Sequence, residues 1–147
     1  MARTTQTRIV EGTPAAVFDL LAAFERTAEW DPGVSSAERL DPGPVAVGTR
    51  FRVVARFLGQ SVPMTYQVVR HQPPHALELE GEASASRAHD VIVLRPVGDG
   101  ATEVTWSLTL RGRGPMRLAD PFLGPVLRRL GRAALDGLQA HCTGRSE

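Results

Sequence analysis

The sequence predicts an α+β domain in which an antiparallel sheet curves around one long C-terminal helix. After about residue 33 the apolar pattern changes from helical to alternating, and the longest helical pattern ends the chain. Only five Phe, two Trp and one Tyr occur among 147 residues. Because protein interiors pack closely, a long sheet with so few large side chains is expected to enclose a cavity.

Length, charge and cysteine use limit the class of protein. The length suits a single domain over residues 1–147, and a net charge of +1 argues against a generally electrostatic partner. No nucleic-acid motif is present, so we expect no nucleic-acid partner. All 17 basic residues are Arg, which indicates the codon bias of a GC-rich genome. One cysteine, no signal-peptide pattern and no span of membrane length predict a cytoplasmic protein.

The first third of the chain predicts one strand and two short helices. Residues 3–11 alternate weakly, as an edge strand does. Thr13 and Pro14 then form a typical helix start, with Thr13 as the N-cap. A second short helical turn is predicted over Glu25–Trp30, where Trp30 is expected to anchor the helix pair to the sheet.

Six further strands are predicted, over residues 35–41, 51–57, 62–70, 77–82, 86–96 and 102–111. Their alternation assigns one set of side chains to the inner face. In that set Ala55, Gly81 and Ala83 are small, which favours a cavity over a filled core. The predicted inner set is Phe51, Val53, Ala55, Phe57, Met64, Tyr66, Val68, Leu77, Leu79, Gly81, Ala83, Trp106 and Leu108.

The last helix is predicted over residues 116–142, with Pro121 and Pro125 breaking or kinking its first turns. Its apolar stripe is Leu123, Val126, Leu127, Leu130, Ala134 and Leu138. The opposite face carries Arg128, Arg129 and Arg132, which leaves open a docking surface for another protein.

This order of elements, together with several short segments, resembles the START-like (SRPBCC) helix-grip superfamily, in particular its bacterial polyketide cyclase/dehydrase-like proteins. The segments are Thr13-Pro14 with Val17 and Phe18, Glu29-Trp30-Asp31-Pro32, Val47-Gly48-Thr49-Arg50-Phe51, Gly98-Asp99-Gly100 and Thr102-Glu103-Val104-Thr105-Trp106. The resemblance spans essentially the whole chain. It implies a curved seven-stranded sheet that grips the last helix around an apolar pocket, and it transfers no catalytic motif to numbered positions.

Three polar side chains are candidates for chemistry inside such a pocket. Tyr66 combines an apolar ring with a hydroxyl that can orient a ligand or act as an acid. In the strand over residues 86–96 both phases are apolar, so either Asp90 or His89 faces inward; we favour Asp90, whose pKa burial would raise. The predicted ligand-binding set is Phe51, Phe57, Met64, Tyr66, Leu79, Asp90, Trp106, Leu127 and Leu130.

The predicted function is the binding of a hydrophobic or aromatic small molecule of lipid, polyketide or isoprenoid type. The first alternative is a cyclase or dehydratase that uses Tyr66 with Asp90 or His89 to move protons. The second is an interaction module that docks through the basic last helix. His and Cys show no metal-ligand spacing and no phosphate-binding or nucleotide motif occurs, so neither a metal nor a cofactor is expected. The sequence leaves the oligomeric state open.

Overall fold

The computed structural model describes residues 1–146, and its centre is one antiparallel sheet. The seven strands lie in the order β1-β7-β6-β5-β4-β3-β2. Register shifts at Val34/Ser36 and at Val68/Arg70 mark bulges, which add to the curvature. The strands are β1 (Ala2–Glu11), β2 (Val34–Arg39), β3 (Arg50–Phe57), β4 (Gln60–Gln72), β5 (Ala76–Glu82), β6 (Ser86–Val97) and β7 (Ala101–Gly112). The α+β helix-grip prediction is therefore confirmed.

Two short helices follow β1, as predicted. Helix α1 (Pro14–Ala22) begins at the expected cap, where the Thr13 hydroxyl accepts a hydrogen bond from the Ala16 amide at 3.2 Å. A 3₁₀ helix (Phe24–Glu29) continues from it. Both helices bury their apolar side chains against the sheet, at Val17, Phe18, Leu20, Leu21 and Phe24.

The C-terminal helix is shorter at its start than predicted. A second 3₁₀ helix (Gly114–Phe122) precedes α2 (Gly124–Ser146), so residues 116–123 do not belong to the long helix. Pro121 and Pro125 account for the difference, because neither has an amide hydrogen to donate to the preceding turn. Of the predicted apolar stripe, Leu127, Ala134 and Leu138 of α2 and Leu123 just before it are buried, and Val126 and Leu130 are half-buried. Leu135 and Cys142 are buried as well.

Helix α2 lies very close to β1 and to the loop after the first 3₁₀ helix. A methyl group at Gly137 would lie 1.9 Å from the Trp30 carbonyl oxygen, and one at Gly131 would lie 3.0 Å from Gln6 Cγ. Trp30 is buried, with its ring centroid 5.8 Å from that of Trp106. This loop therefore ties α2 to the sheet. No helix in residues 1–146 combines the length and apolarity needed to cross a membrane.

Candidate ligand-binding cavity

A cavity of about 600 Å³ lies between the concave face of the sheet and the first turns of α2. Small side chains of two strands, of the turn after β5 and of α2 border it, where larger ones would fill the space. These are Ala55 on β3, Ala88 on β6 and Ala134 on α2, with Ala83 directly after β5. Much of the remaining wall consists of apolar side chains, among them Val53, Met64, Leu108, Leu123, Leu127 and Leu130.

Aromatic rings form one end of the cavity, where it meets the packed core. Phe24, Tyr66 and Trp106 border the cavity. Phe51 packs against Phe24 at a centroid distance of 5.7 Å, and the Phe24 ring lies 5.2 Å from that of Tyr66. Five of the eight aromatic residues, counting Trp30, are thus gathered in this layer.

The opposite edge of the cavity is made by turns and carries exposed apolar side chains. Leu58, in the β3–β4 turn, is 66% exposed, and Met116, on the second 3₁₀ helix, is 43% exposed. Ser84 and Ala85 of the β5–β6 turn complete this edge. An apolar rim at this end is where a hydrophobic molecule would enter.

Asp90 is a buried ionisable residue in the cavity wall. It is 5% exposed and projects from the middle of β6, where it pairs with Leu79 on one side and Leu108 on the other. The Trp106 indole N–H donates a hydrogen bond to Asp90 Oδ2 at 3.0 Å. Asp90 Oδ1 is buried and has no hydrogen-bond partner within residues 1–146.

Asp31 and Tyr66 border the same cavity. Asp31 is partly buried, and its Oδ1 accepts a hydrogen bond from the Gly33 amide at 2.8 Å. Tyr66 is 8% exposed. Its ring lies over Gly81, the residue paired with it across β4 and β5, so closely that a methyl group at Gly81 would be 2.7 Å from the ring.

Burial changes the acidity of all three groups. It raises the pKa of Asp90 to about 7, although the Trp106 hydrogen bond opposes this and the Asp31 charge adds to it. Burial also raises the pKa of Asp31 to about 6, against the effect of the Gly33 amide. The pKa of Tyr66 rises well above its usual value through burial, with the charges of Asp90 and Asp31 adding to the effect. The Tyr66 hydroxyl therefore keeps its proton at neutral pH.

Seven of the nine predicted ligand-binding residues border the cavity: Phe57, Met64, Tyr66, Asp90, Trp106, Leu127 and Leu130. Phe51 and Leu79 do not. Both are fully buried, because neighbouring side chains cover them and separate them from the space. Alternation assigns a residue to a face of the sheet, but it cannot distinguish a cavity wall from the packed core behind it.

His89 does not face the cavity. It lies on the other phase of β6, where its Nε2 is 3.4 Å from Glu78 Oε2 at a partly exposed site. Asp90 holds the inward position that we favoured. Gly81 also differs from expectation, since the Tyr66 ring rather than empty space takes the room beside it.

Sequence patterns do not indicate several of the wall residues, above all Asp31. It lies in an Asp-Pro-Gly segment that predicts an exposed turn. Only the docking of this loop against α2 brings the carboxylate to the cavity, with Gly33 next to Leu130. Phe24 and Thr27 reach the wall through the 3₁₀ helix, and the Thr27 hydroxyl is already bonded to the Phe24 carbonyl at 2.6 Å.

Asp31 and Asp90 are both carboxylates, yet they form no metal site with a third ligand. Within residues 1–146 no three His, Cys, Asp or Glu side chains are grouped closely enough to hold a metal ion. The ionisable groups discussed above that border the cavity are thus two carboxyl groups, Asp31 and Asp90, and the phenol of Tyr66, in mainly apolar surroundings.

Comparison with solved structures gives the same fold throughout the chain. A protein from Thermus thermophilus has a TM-score of 0.82 at 21% identity, covering 99% of each chain. The Zhui aromatase/cyclase from a Streptomyces species has a TM-score of 0.85 at 15% identity, covering 99% of this chain and 95% of its own. A START superfamily protein from Mycobacterium smegmatis has a TM-score of 0.75 at 16% identity, covering 99% and 97%.

A search of curated protein sequences finds no match. The family model described as "Polyketide cyclase / dehydrase and lipid transport" matches residues 1–143, nearly the whole chain. The resemblance noted in the sequence is therefore confirmed: this chain belongs to the polyketide cyclase/dehydrase and lipid transport family.

Proposed function

We propose that this protein binds a hydrophobic small molecule of lipid, polyketide or isoprenoid type in the cavity between the sheet and α2. The observation that carries the proposal is a space of about 600 Å³ with a mainly apolar wall and few buried polar groups. Covering roughly 200 Å² of apolar ligand surface provides about 5 kcal/mol at ~25 cal/mol per Å². With one or two polar contacts, affinities near the micromolar range are reasonable.

The test measures binding of the neutral fluorescent probe N-phenyl-1-naphthylamine to the purified protein. We expect saturable binding that is lost in the double variant Ala55→Leu/Ala83→Leu, because both side chains border the cavity and the added atoms fill it. The matched control is Ala140→Leu on the exposed face of α2. Undiminished probe binding in the filled variant would place the probe elsewhere and contradict the proposal.

Native mass spectrometry of the freshly purified protein complements this test. An apolar molecule that copurifies with the wild type and is absent from Ala55→Leu/Ala83→Leu would support the proposal and narrow the ligand class. The same mass on both proteins would indicate a site outside the cavity.

The second candidate function is a cyclase or dehydratase acting on a polyketide-like chain. It is favoured by Asp90, whose pKa of about 7 suits proton transfer near neutral pH, and whose Oδ1 has no other partner. In this role Asp90 would take a proton from a carbon next to a carbonyl. Tyr66 would donate a hydrogen bond to the carbonyl oxygen as it gains charge.

The enzyme hypothesis is tested by incubating the protein with an aromatic poly-β-ketone and identifying the products by mass spectrometry. We expect Tyr66→Phe/Asp90→Asn to return the products of spontaneous cyclisation, while the control His89→Gln keeps the products of the wild type. If the double variant and the wild type give the same products, neither residue has this role.

A further inference from the structure

Most polar side chains that border the cavity already have partners or lie at its exposed edge. The Thr27 hydroxyl donates to the Phe24 carbonyl at 2.6 Å, and the exposed Arg56 donates to the Pro32 carbonyl at 2.8 Å. Asp31 accepts from the Gly33 amide, and Gln60, Ser61 and Ser84 are exposed. Two groups remain for a ligand at the buried end: Asp90 Oδ1, which has no hydrogen bond within the described residues, and the hydroxyl of Tyr66, whose side chain borders the cavity.

Asp90 Oδ1 is an acceptor that the fold leaves unused. The other oxygen of the same carboxylate, Oδ2, accepts a hydrogen bond from the Trp106 indole N–H at 3.0 Å, and this bond orients the carboxylate. A buried polar atom without a hydrogen bond is costly, so in native proteins such an atom usually has a partner or a function. A ligand that supplies a donor to Oδ1 would remove this cost.

The Tyr66 hydroxyl provides the complementary group, since it stays protonated and can donate. Asp90 and Tyr66 border one cavity, and the residues of β5 paired with them, Leu79 and Gly81, are two positions apart and so lie on the same face of that strand. A ligand hydroxyl can donate one hydrogen bond and can accept others through its lone pairs. It therefore satisfies both residues at once.

We propose that the buried polar end of this cavity, formed by Asp90 and Tyr66, binds the hydroxyl group of an apolar alcohol or phenol. Asp90 Oδ1 accepts the ligand hydrogen, and Tyr66 donates to the ligand oxygen. This inference rests on the proposed binding function and names its ligand class.

The same geometry disfavours two other common polar groups. A carboxylate would meet two carboxylates in the cavity wall, Asp31 and Asp90, without a buried cation beside them in the described chain. An ammonium group would be attracted by these carboxylates, but its three donors would lose their water on burial, and the described chain offers them two carboxylate oxygens, Asp90 Oδ1 and Asp31 Oδ2. Free fatty acids and long-chain amines should therefore bind more weakly than the matching alcohol.

The test compares four ligands of equal length as competitors of N-phenyl-1-naphthylamine at pH 8: 1-decanol, 1-methoxynonane, decanoic acid and decylamine. We expect 1-decanol to bind about tenfold more tightly than the ether, which lacks the donor. In Asp90→Asn we expect the amide oxygen to accept the Trp106 hydrogen bond, so that the amide NH2 faces the ligand and can donate to an alcohol and an ether alike. The preference for alcohol over ether should then fall to within about twofold.

His89→Gln is the control variant, because His89 lies on the other face of β6. It should keep the preference of the wild type. Tyr66→Phe should weaken the alcohol and the ether alike, because both have an oxygen that can accept a hydrogen bond from Tyr66. If the probe binds but the alcohol and ether compete equally, or the acid or amine competes best, the hydroxyl proposal is overturned while the binding function stands. If neither the probe nor any of the four ligands binds, both proposals fail.

Discussion

The two ends of the sheet use the same strands and the same helix, yet one end is filled and the other is hollow. At the filled end Leu77, Ile92 and Leu138 are 0% exposed, and α1 adds Phe18 and Leu21. At the hollow end Ala55, Ala88 and Ala134 face a space of about 600 Å³. The aromatic layer of Phe24, Phe51, Tyr66, Trp30 and Trp106 lies where the two ends meet.

This difference shows how one fold separates stability from binding. Large side chains of four elements, β5, β6, α1 and α2, meet at the filled end and are shielded there from solvent. At the hollow end the cover is a short 3₁₀ helix whose Leu118 and Phe122 are 81% and 77% exposed. We therefore expect substitutions at the filled end to change the free energy of unfolding, and those at the hollow end to change binding.

The sharpest comparison uses two leucines of α2. Leu135 is 0% exposed, so Leu135→Ala should cost about 3–5 kcal/mol of unfolding free energy by leaving a void in close packing. Leu130 is half-buried and borders the cavity, so Leu130→Ala should cost about 1 kcal/mol. Urea denaturation measures both. Equal losses would mean that the hollow end is packed as tightly as the filled end.

Gly137 tests how closely α2 is held at the filled end. In Gly137→Ala the new methyl group would lie 1.9 Å from the Trp30 carbonyl oxygen, so backbone must move. We expect a loss of about 3 kcal/mol in unfolding free energy. Gly144→Ala is the control, since a methyl group there would have no atom of another described element within 4 Å. It should leave stability unchanged or raise it by up to ~1 kcal/mol through helix propensity.

Gly81 probes the layer between the two ends. Gly81→Ala puts a methyl group 2.7 Å from the Tyr66 ring, and we expect it to cost about 2 kcal/mol of unfolding free energy. In a Tyr66→Ala background the same change should cost close to nothing, because the clash has gone. A double-mutant cycle followed by urea denaturation measures the difference. A cost independent of Tyr66 would contradict the proposed contact.

The hollow end should also make stability depend on pH. The pKa of Asp90 is about 7 in the folded protein against 3.8 for an unperturbed carboxyl group. Between these values the unfolded chain has lost its proton while the folded one keeps it, so stability falls as pH rises, by at most ~1.4 kcal/mol per pH unit, and levels off above pH 7. Urea denaturation of Asp90→Asn at several pH values should show a smaller fall. The remaining fall, ending near pH 6, belongs to Asp31. An unchanged profile would mean that Asp90 is ionised throughout.

Sequence periodicity predicted the buried face correctly where a strand or helix packs one apolar side against the rest of the domain. The alternation in β3 to β5 and the stripe of α2 assign buried faces correctly, because a strand or helix has one apolar side to cover. Phe51 and Leu79, predicted as ligand-binding residues, lie outside the cavity wall, and the prediction was wrong for residues 116–123 as part of the long helix. The position of Phe51 and Leu79 depends on contacts between elements, and the start of α2 depends on its prolines. Neither is encoded in the spacing of apolar residues.

Sequence patterns alone predict the class of fold, the family, the inner face of most strands and an inner surface rich in small side chains. Those features are local or repeated, so propensity and alternation specify them. Three further features follow from the packing of the elements: where the space lies, that the Tyr66 ring takes the room beside Gly81, and that a turn residue, Asp31, joins Asp90 at the cavity wall. These depend on how close α2 and the loop of Trp30 come to the sheet, a distance set by packing many side chains together at once.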